Sequence, residues 1–140
     1  IDELAAVFRK PFVTVNYAPL GLLEYRPKKN FLVFKKYFCK IKNRYLTISE
    51  IFDTNGAFYA KTDDFKKNKI ILVNNTPEEI LEATKDCLRY IQNKKINYDI
   101  KTQENFWTLY HKKRSSMRND FYNEDLNCII NDKFLKSVDI

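Results

Sequence analysis

The sequence predicts an α/β domain in which a small, mostly parallel sheet is flanked by helices. Two short segments, Phe12–Tyr17 and residues 69–74, have the apolar and β-branched composition of buried strands. Helical segments separate the two along the chain, and an amphipathic helix adjoins each of them. A helical crossover joins parallel strands, so we expect both segments to lie in one sheet.

The N-terminal element is a predicted helix that stops at Pro11. Its apolar residues recur at i, i+3 and i+4, the spacing of one buried helix face: Leu4, Val7 and Phe8. The helical pattern is already under way at Ile1, so we expect the chain to be a piece of a longer protein. The strand Phe12–Tyr17 follows, bounded by Pro11 and Pro19.

The next segments have weaker patterns. Residues 31–34 form an apolar run too short to distinguish strand from helix, and we predict extended structure there. A short helix is predicted over residues 47–52, with Thr47 as N-cap and Glu50 as the returning partner of a capping box. Residues 61–68 are polar and charged, which is typical of a surface helix or loop.

The segment after residues 69–74 carries the clearest signal for a helix start. Thr76 is the predicted N-cap, Pro77 occupies the first helical position, and Glu79 completes a capping box. We interpret the first-turn carboxylates as capping groups rather than catalytic ones. The helix is predicted to extend to residues 93–94 with one face buried, formed by Ile80, Thr84, Cys87, Leu88 and Ile91.

The C-terminal third is predicted to be helical. One helix covers residues 102–114, and residues 115–123 link it to a final helix. The apolar pattern of that final helix consists of Leu126, Ile129, Ile130 and Phe134. We therefore divide a single domain into an α/β unit over residues 1–95 and C-terminal helices over residues 96–140 that pack on it.

The composition excludes several classes of protein. Two glycines in 140 residues leave no dinucleotide fingerprint, no P-loop and no nucleophile elbow. One histidine and three unpatterned cysteines support neither a zinc site nor a disulfide framework, so we expect no metal, no cofactor and a reduced, cytoplasmic protein. No apolar run approaches the roughly 18 residues of a membrane span.

The positive charge is concentrated in one stretch. Residues 25–49 contain eight basic and no acidic residues, which leaves 17 basic against 18 acidic residues elsewhere. Aromatic residues are interleaved with these cations. One interpretation is an anion-binding face for a phosphate-bearing ligand or, less favoured, a single-stranded nucleic acid. The other is a Phe/Tyr stripe packed in the core with lysines solvating its outer side.

Three motifs, in this order, resemble those of a family of bacterial glycosyltransferases of the GT-B type. They are Phe-Arg-Lys-Pro at residues 8–11 with Val-Asn-Tyr-Ala-Pro at 15–19, Arg-Tyr-Leu-Thr-Ile-Ser-Glu-Ile at 44–51, and the segment 70–80 ending in Asn-Thr-Pro-Glu-Glu-Ile. The resemblance covers residues 4–91 and is looser beyond them. It implies a Rossmann-like donor half-domain, the C-terminal half of a GT-B enzyme of surface-carbohydrate assembly.

The resemblance also implies what this chain lacks. Two parts of the family's fold would precede Ile1. They are the small-residue loop that faces the donor phosphates and the whole N-terminal acceptor domain. GT-B enzymes react in the cleft between their two domains, so the chain alone is expected to bind the nucleotide-sugar donor weakly and to be inactive. One edge of the truncated sheet would be open, and a second copy of the chain would be able to pair there to form a homo-oligomer.

The resemblance and the strand ends together suggest five donor-binding residues. Asn16 and Tyr17 end the first strand and are expected to line the cleft, and Lys35 and Lys36 are expected to meet the diphosphate. Glu50 resembles the carboxylate that binds the donor ribose, with capping of the helix at Thr47 as its alternative role. A non-catalytic α/β binding domain remains an alternative function, and a nucleic-acid binder is a third.

Overall fold

The computed structural model describes residues 3–23, 30–93, 95, 98–117 and 128–138. The helices are α1 (Glu3–Val7), α2 (Ile48–Asp53), α3 (Thr62–Lys67), α4 (Pro77–Asn93), α5 (Ile100–Met117) and α6 (Asp132–Val138). The strands are β1 (Phe12–Tyr17), β2 (Asn30–Phe34), β3 (Lys36–Cys39), β4 (Arg44–Tyr45), β5 (Ile70–Val73) and β6 (Ile129–Ile130).

The predicted parallel sheet is present and consists of β1, β2 and β6. β2 lies in the centre, with Phe12 opposite Asn30 on one side and Phe31 opposite Ile129 on the other. All five residues of β2 are buried, because helices cover both faces of this sheet. The α/β class with a small parallel sheet is therefore confirmed, and so is extended structure at residues 31–34.

The prediction that residues 69–74 belong to the same sheet as β1 is wrong. β5 is a strand, but it pairs antiparallel with β3 in a second sheet of order β4-β3-β5. The two places beside β2 are taken by β1 and β6. The chain passes from β2 through Lys35 directly into β3, and β3 provides the edge on which β5 pairs.

The prediction of a final helix through Ile129 and Ile130 is also wrong. These β-branched residues form β6, and the side chain of Gln103 on α5 holds them in extended form. Its Nε2 donates to the Ile130 carbonyl at 2.6 Å, and the Ile130 N–H donates to its Oε1 at 3.1 Å. The final helix begins only at Asp132, and Leu126 lies outside the described residues.

Of the face predicted for helix α4, only Cys87 is fully buried. Glu79, Ala83 and Cys87 are buried, whereas Leu88 and Ile91 are about half exposed, at 51% and 45%. Cys87 packs in a small cluster against one face of the parallel sheet, with Phe31, Ile129 and partly buried Val13, Tyr90 and Tyr98. Small residues on this face let the helix lie close to the sheet, which hydrophobicity alone does not indicate.

The other face of the parallel sheet lies on the main core. Phe34 of β2 packs against Phe106 of α5 and Phe134 of α6, with ring centroids 6.0 Å apart in each pair. The turn after β1 is buried in the same core and is fixed by long-range hydrogen bonds. The Leu20 N–H donates to the Tyr37 hydroxyl at 2.9 Å, and the buried Arg114 donates to the Gly21 carbonyl at 2.9 Å. The carboxyl end of β1 therefore has a rigid support.

The predicted N-terminus of α4 is confirmed. The Thr76 N–H donates to a Glu79 carboxylate oxygen at 2.9 Å, and the Glu79 N–H donates to the Thr76 hydroxyl at 3.2 Å. Both bonds of a capping box are thus present, and Pro77 is the first helical residue.

We expect Thr76→Ala to lower the free energy of unfolding by about 1 kcal/mol, because it removes the N-cap acceptor. Thr84→Ala is the matched control, since Thr84 is exposed within the same helix and its hydroxyl bonds only the Ile80 carbonyl. Alanine favours the helix interior, so this variant should lose no stability. Equal denaturation midpoints for Thr76→Ala and wild type would show that Thr76 does not cap the helix in solution.

Candidate functional site

Four of the five predicted site residues lie together where β1 and β2 end. Asn16 and Tyr17 are the last residues of β1, Lys35 follows β2, and Lys36 begins β3. The Lys35 N–H donates to the Tyr17 carbonyl at 3.0 Å, which joins the two strand ends. Together with Asn75, which precedes α4, we call these residues the carboxyl edge. Open α/β sheets bind ligands at the carboxyl ends of their parallel strands.

Two asparagines connect β1 to the start of α4 across the carboxyl edge. The Asn16 N–H donates to Asn75 Oδ1 at 2.6 Å, and the Asn75 N–H donates to Asn16 Oδ1 at 2.7 Å. The Asn75 side chain also donates to the Phe34 carbonyl at the end of β2, at 2.7 Å. Asn75, which is 7% exposed, thus holds three segments in a fixed arrangement.

The backbone of Asn16 explains part of the residue choice at this position. Its φ is +56°, in the left-handed region that asparagine adopts more readily than most residues. The left-handed turn at Asn16 coincides with a register shift in the pairing of β1 with β2. Asn75 was not predicted as a site residue, because its sequence context does not distinguish it from the neighbouring, exposed Asn74.

Lys36 is engaged in a buried ion pair. Its Nζ lies 2.5 Å from a Glu79 carboxylate oxygen, and the two side chains are only 15% and 4% exposed. The ammonium group also lies 5.8 Å from the centre of the Tyr45 ring. Glu79 therefore caps α4, as predicted, and also neutralises Lys36, which the sequence did not indicate. The pair links the second sheet to the N-terminus of α4.

Lys35 and Tyr17 present different groups at the carboxyl edge. Lys35 is half-buried, and within the described ranges its ammonium group has no hydrogen-bond or ion-pair partner. Tyr17 packs its ring edge-to-face on Phe34 at 5.8 Å, and its hydroxyl donates to the Leu22 carbonyl at 2.9 Å. Tyr17 thus stabilises the turn after β1, and Lys35 is the cation available to an anionic ligand.

Glu50 lies in a separate cluster on α2. Arg44 binds both of its carboxylate oxygens, at 2.8 and 2.6 Å, and Lys42 binds one of them at 2.5 Å. The Thr47 N–H donates to it at 3.0 Å, so the predicted capping box at Thr47 is confirmed. No hydrogen bond or ion pair joins Glu50 to the carboxyl edge within the part of the chain that the structure describes.

The cations around Glu50 make the stability of the protein depend on pH. Hydrogen bonds from Arg44, then Lys42, and then the Thr47 N–H hold the pKa of Glu50 well below its ordinary value. Because the pKa of Glu50 is lower in the folded state than in the unfolded state, its carboxylate stabilises the protein at pH values above the unfolded-state pKa, near 4.3. This stabilisation is lost as the pH falls towards the folded-state pKa.

We therefore expect wild type to lose more stability than Glu50→Gln between about pH 6 and pH 3, because the variant has no carboxylate to protonate. Denaturant titrations at several pH values measure this difference. Glu104→Gln is the control for removal of a carboxylate, since Glu104 is exposed on α5. Parallel curves for wild type and Glu50→Gln would contradict the pKa shift.

The described part of the basic stretch combines a buried aromatic core with solvated cations. Phe31, Phe34 and Tyr37 are at most 2% exposed, whereas Lys40, Lys42 and Arg44 are exposed. The interpretation as a core stripe with outer lysines therefore holds for these residues, whereas Tyr45 is exposed and Lys36 lies in a buried ion pair. Residues 25–29 of the stretch lie outside the described residues.

The described residues also bear on metal binding and on membrane insertion. No group of three His, Cys, Asp or Glu side chains in these ranges is placed to hold a metal ion. In the same ranges, no helix combines the length and apolar character needed to cross a membrane.

Comparison with known proteins adds no relative. No family model, no curated protein and no solved structure matches the chain significantly. The resemblance to bacterial glycosyltransferases remains a prediction from three motifs, and the carboxyl edge is interpreted from its own residues.

Proposed function

We propose that this chain is the donor-binding half of a glycosyltransferase of GT-B type that uses a nucleotide-sugar in surface-carbohydrate assembly. The observation that carries the proposal is the convergence of Asn16, Lys35 and Asn75 at the carboxyl ends of β1 and β2. This is the position at which α/β sheets bind nucleotides. Two of the three motifs noted in the sequence supply sides of this edge, at residues 15–19 and 70–80.

Lys35 is proposed to bind the donor diphosphate. Its ammonium group is not neutralised by any described residue, in contrast to Lys36, whose charge is matched by Glu79. The Asn16–Asn75 pair holds the strand ends around it and is proposed as a positioning element. Glu50 is the weaker assignment, because Arg44, Lys42 and the Thr47 N–H already bind its carboxylate.

The donor is expected to bind weakly to this chain. Thr76 and Glu79 occupy the cap of α4, so the first amides of that helix are already bonded and do not form a phosphate cradle. A single lysine that is partly open to solvent contributes only a screened charge. We expect a dissociation constant near the millimolar range, about −4 kcal/mol, and no glycosyl transfer in the absence of an acceptor-binding domain.

Calorimetric or ligand-observed NMR titration with uridine diphosphate tests this function. Lys35→Gln is expected to weaken binding several-fold, because it removes the free cation at the edge. Lys40→Gln is the matched control, since Lys40 is exposed beyond β3 and away from the carboxyl edge. Equal loss in both variants would indicate non-specific charge attraction. Tight, salt-sensitive binding of an oligonucleotide instead of the nucleotide would favour a nucleic-acid binder.

A further inference from the structure

Strand β5 has a free edge with unpaired backbone groups. The Lys40 N–H donates to the Lys69 carbonyl at 2.9 Å, and Phe38 pairs with Ile71 two residues further along. Antiparallel strands alternate bonded and non-bonded pairs, so Ile70 and Leu72 turn their N–H and C=O groups away from β3. β5 is the last strand of its sheet, and no described residue bonds these groups.

This free edge borders a cleft of about 450 Å³. Ile70, Ile71 and Leu72 line one side, and Ala18 and Pro19, directly after β1, line another. Aromatic rings form part of the remaining wall: Tyr59 and Phe65 pack edge-to-face at 5.3 Å, and the Tyr59 hydroxyl donates to the Thr54 carbonyl at 2.8 Å. The volume is in the range of small-molecule sites.

The cleft adjoins the carboxyl edge. Pro19 lies two residues beyond Tyr17, and Leu72 lies three residues before Asn75. At roughly 3.3 Å per residue, both are within about 10 Å of the Asn16–Asn75 pair. Lys66 also lines the cleft, and its pairing with Asp63 is loose: the two charged atoms are 3.8 Å apart and both side chains are more than 70% exposed.

We infer that this cleft binds the nucleobase of the donor, an inference that rests on the proposed function. A planar nucleobase ring fits between the aromatic wall and Pro19. The adjacent hydrogen-bond acceptor and donor of that ring then bond to the N–H and C=O of Ile70 or of Leu72. An aliphatic ligand of the same size would leave these backbone groups unpaired, which disfavours it. The ribose and diphosphate then extend towards Lys35.

Amide NMR titration with uridine, which has no phosphate, tests the inference apart from the diphosphate site. Uridine should shift the Ile70 and Leu72 amides, and 3-methyluridine, whose ring N–H is blocked, should bind about fivefold more weakly. Ala60→Phe fills the cleft from its exposed rim and should weaken uridine binding at least about fivefold. Thr108→Phe, at an exposed position on α5, is the control and should bind uridine like wild type.

The outcomes separate this inference from the proposed function. If uridine does not shift the Ile70 and Leu72 amides while uridine diphosphate still shifts those of Asn16 and Lys35, the cleft assignment is wrong and the proposed function is not affected. Equal affinity for uridine and 3-methyluridine also overturns the cleft assignment. If Lys35→Gln leaves the affinity of the cleft for uridine unchanged, this result supports the cleft assignment. If uridine diphosphate gains nothing over uridine, the diphosphate site fails while the nucleobase cleft stands.

Discussion

Replacing Lys36 with methionine is expected to lower the free energy of unfolding by about 3 kcal/mol or more, because it leaves the Glu79 carboxylate buried without its counter-charge. Methionine has nearly the same length as the lysine stem, so the change removes the charge and creates little cavity. Urea denaturation of the purified variant measures the loss. The expected value is a large part of the total stability of a domain of this size.

Two further variants separate the ion pair from general effects of substitution. Lys85→Met is the matched control, because the Lys85–Glu82 pair on α4 is exposed and should contribute less than about 1 kcal/mol. Adding Glu79→Gln to Lys36→Met should restore much of the loss, since glutamine keeps the capping box and carries no charge. If Lys36→Met costs no more than Lys85→Met, the pair is not buried in solution.

Asn75→Ala is expected to cost about 3 kcal/mol, because it removes both hydrogen bonds of the buried Asn75 side chain. The Asn16 N–H and the Phe34 carbonyl then lose their partner at the carboxyl edge, and leaving such groups unsatisfied adds to the loss. Denaturation and amide hydrogen exchange both measure it. Exchange should increase most at the end of β1, where the Asn16 amide loses its acceptor.

Asn74→Ala and Asn16→Gly control for this effect. Asn74 is exposed beside Asn75, so its replacement should change stability by less than about 0.5 kcal/mol. Asn16→Gly keeps the positive φ accessible and removes only the acceptor of the Asn75 N–H, for an expected loss of about 1 kcal/mol. Similar losses for Asn74→Ala and Asn75→Ala would mean that the asparagine pair does not hold the edge together.

The sequence predicted the features whose partners are close along the chain. Both capping boxes join residues three apart, Thr47 with Glu50 and Thr76 with Glu79, so their sequence pattern almost determines their geometry. Strands β1 and β5 were recognisable from runs of β-branched residues, which restrict the backbone locally. Local stereochemistry is sufficient for features of this kind.

The features that were missed depend on partners far apart in sequence. The Asn16–Asn75 pair spans 59 positions, and whether β5 joins β1 or β3 depends on which strand edge is open. β6 has two residues, too few to show a period, and it is defined by Gln103 and β2. Four candidate site residues could be proposed because they flank strand ends, whereas Asn75 and the ion-pair role of Glu79 became visible only in the fold.

The most direct test of the carboxyl edge as a nucleotide site is an amide shift map of the labelled chain titrated with uridine diphosphate. The donor-site proposal predicts saturable shifts, with a dissociation constant near the millimolar range, that cluster at Asn16, Tyr17, Lys35, Lys36 and Asn75. The Asn75→Ala variant should lose this cluster because the strand ends are no longer held together. Shifts confined to the exposed cations Lys40, Lys42 and Arg44, or no shifts at all, would contradict a donor site at this edge.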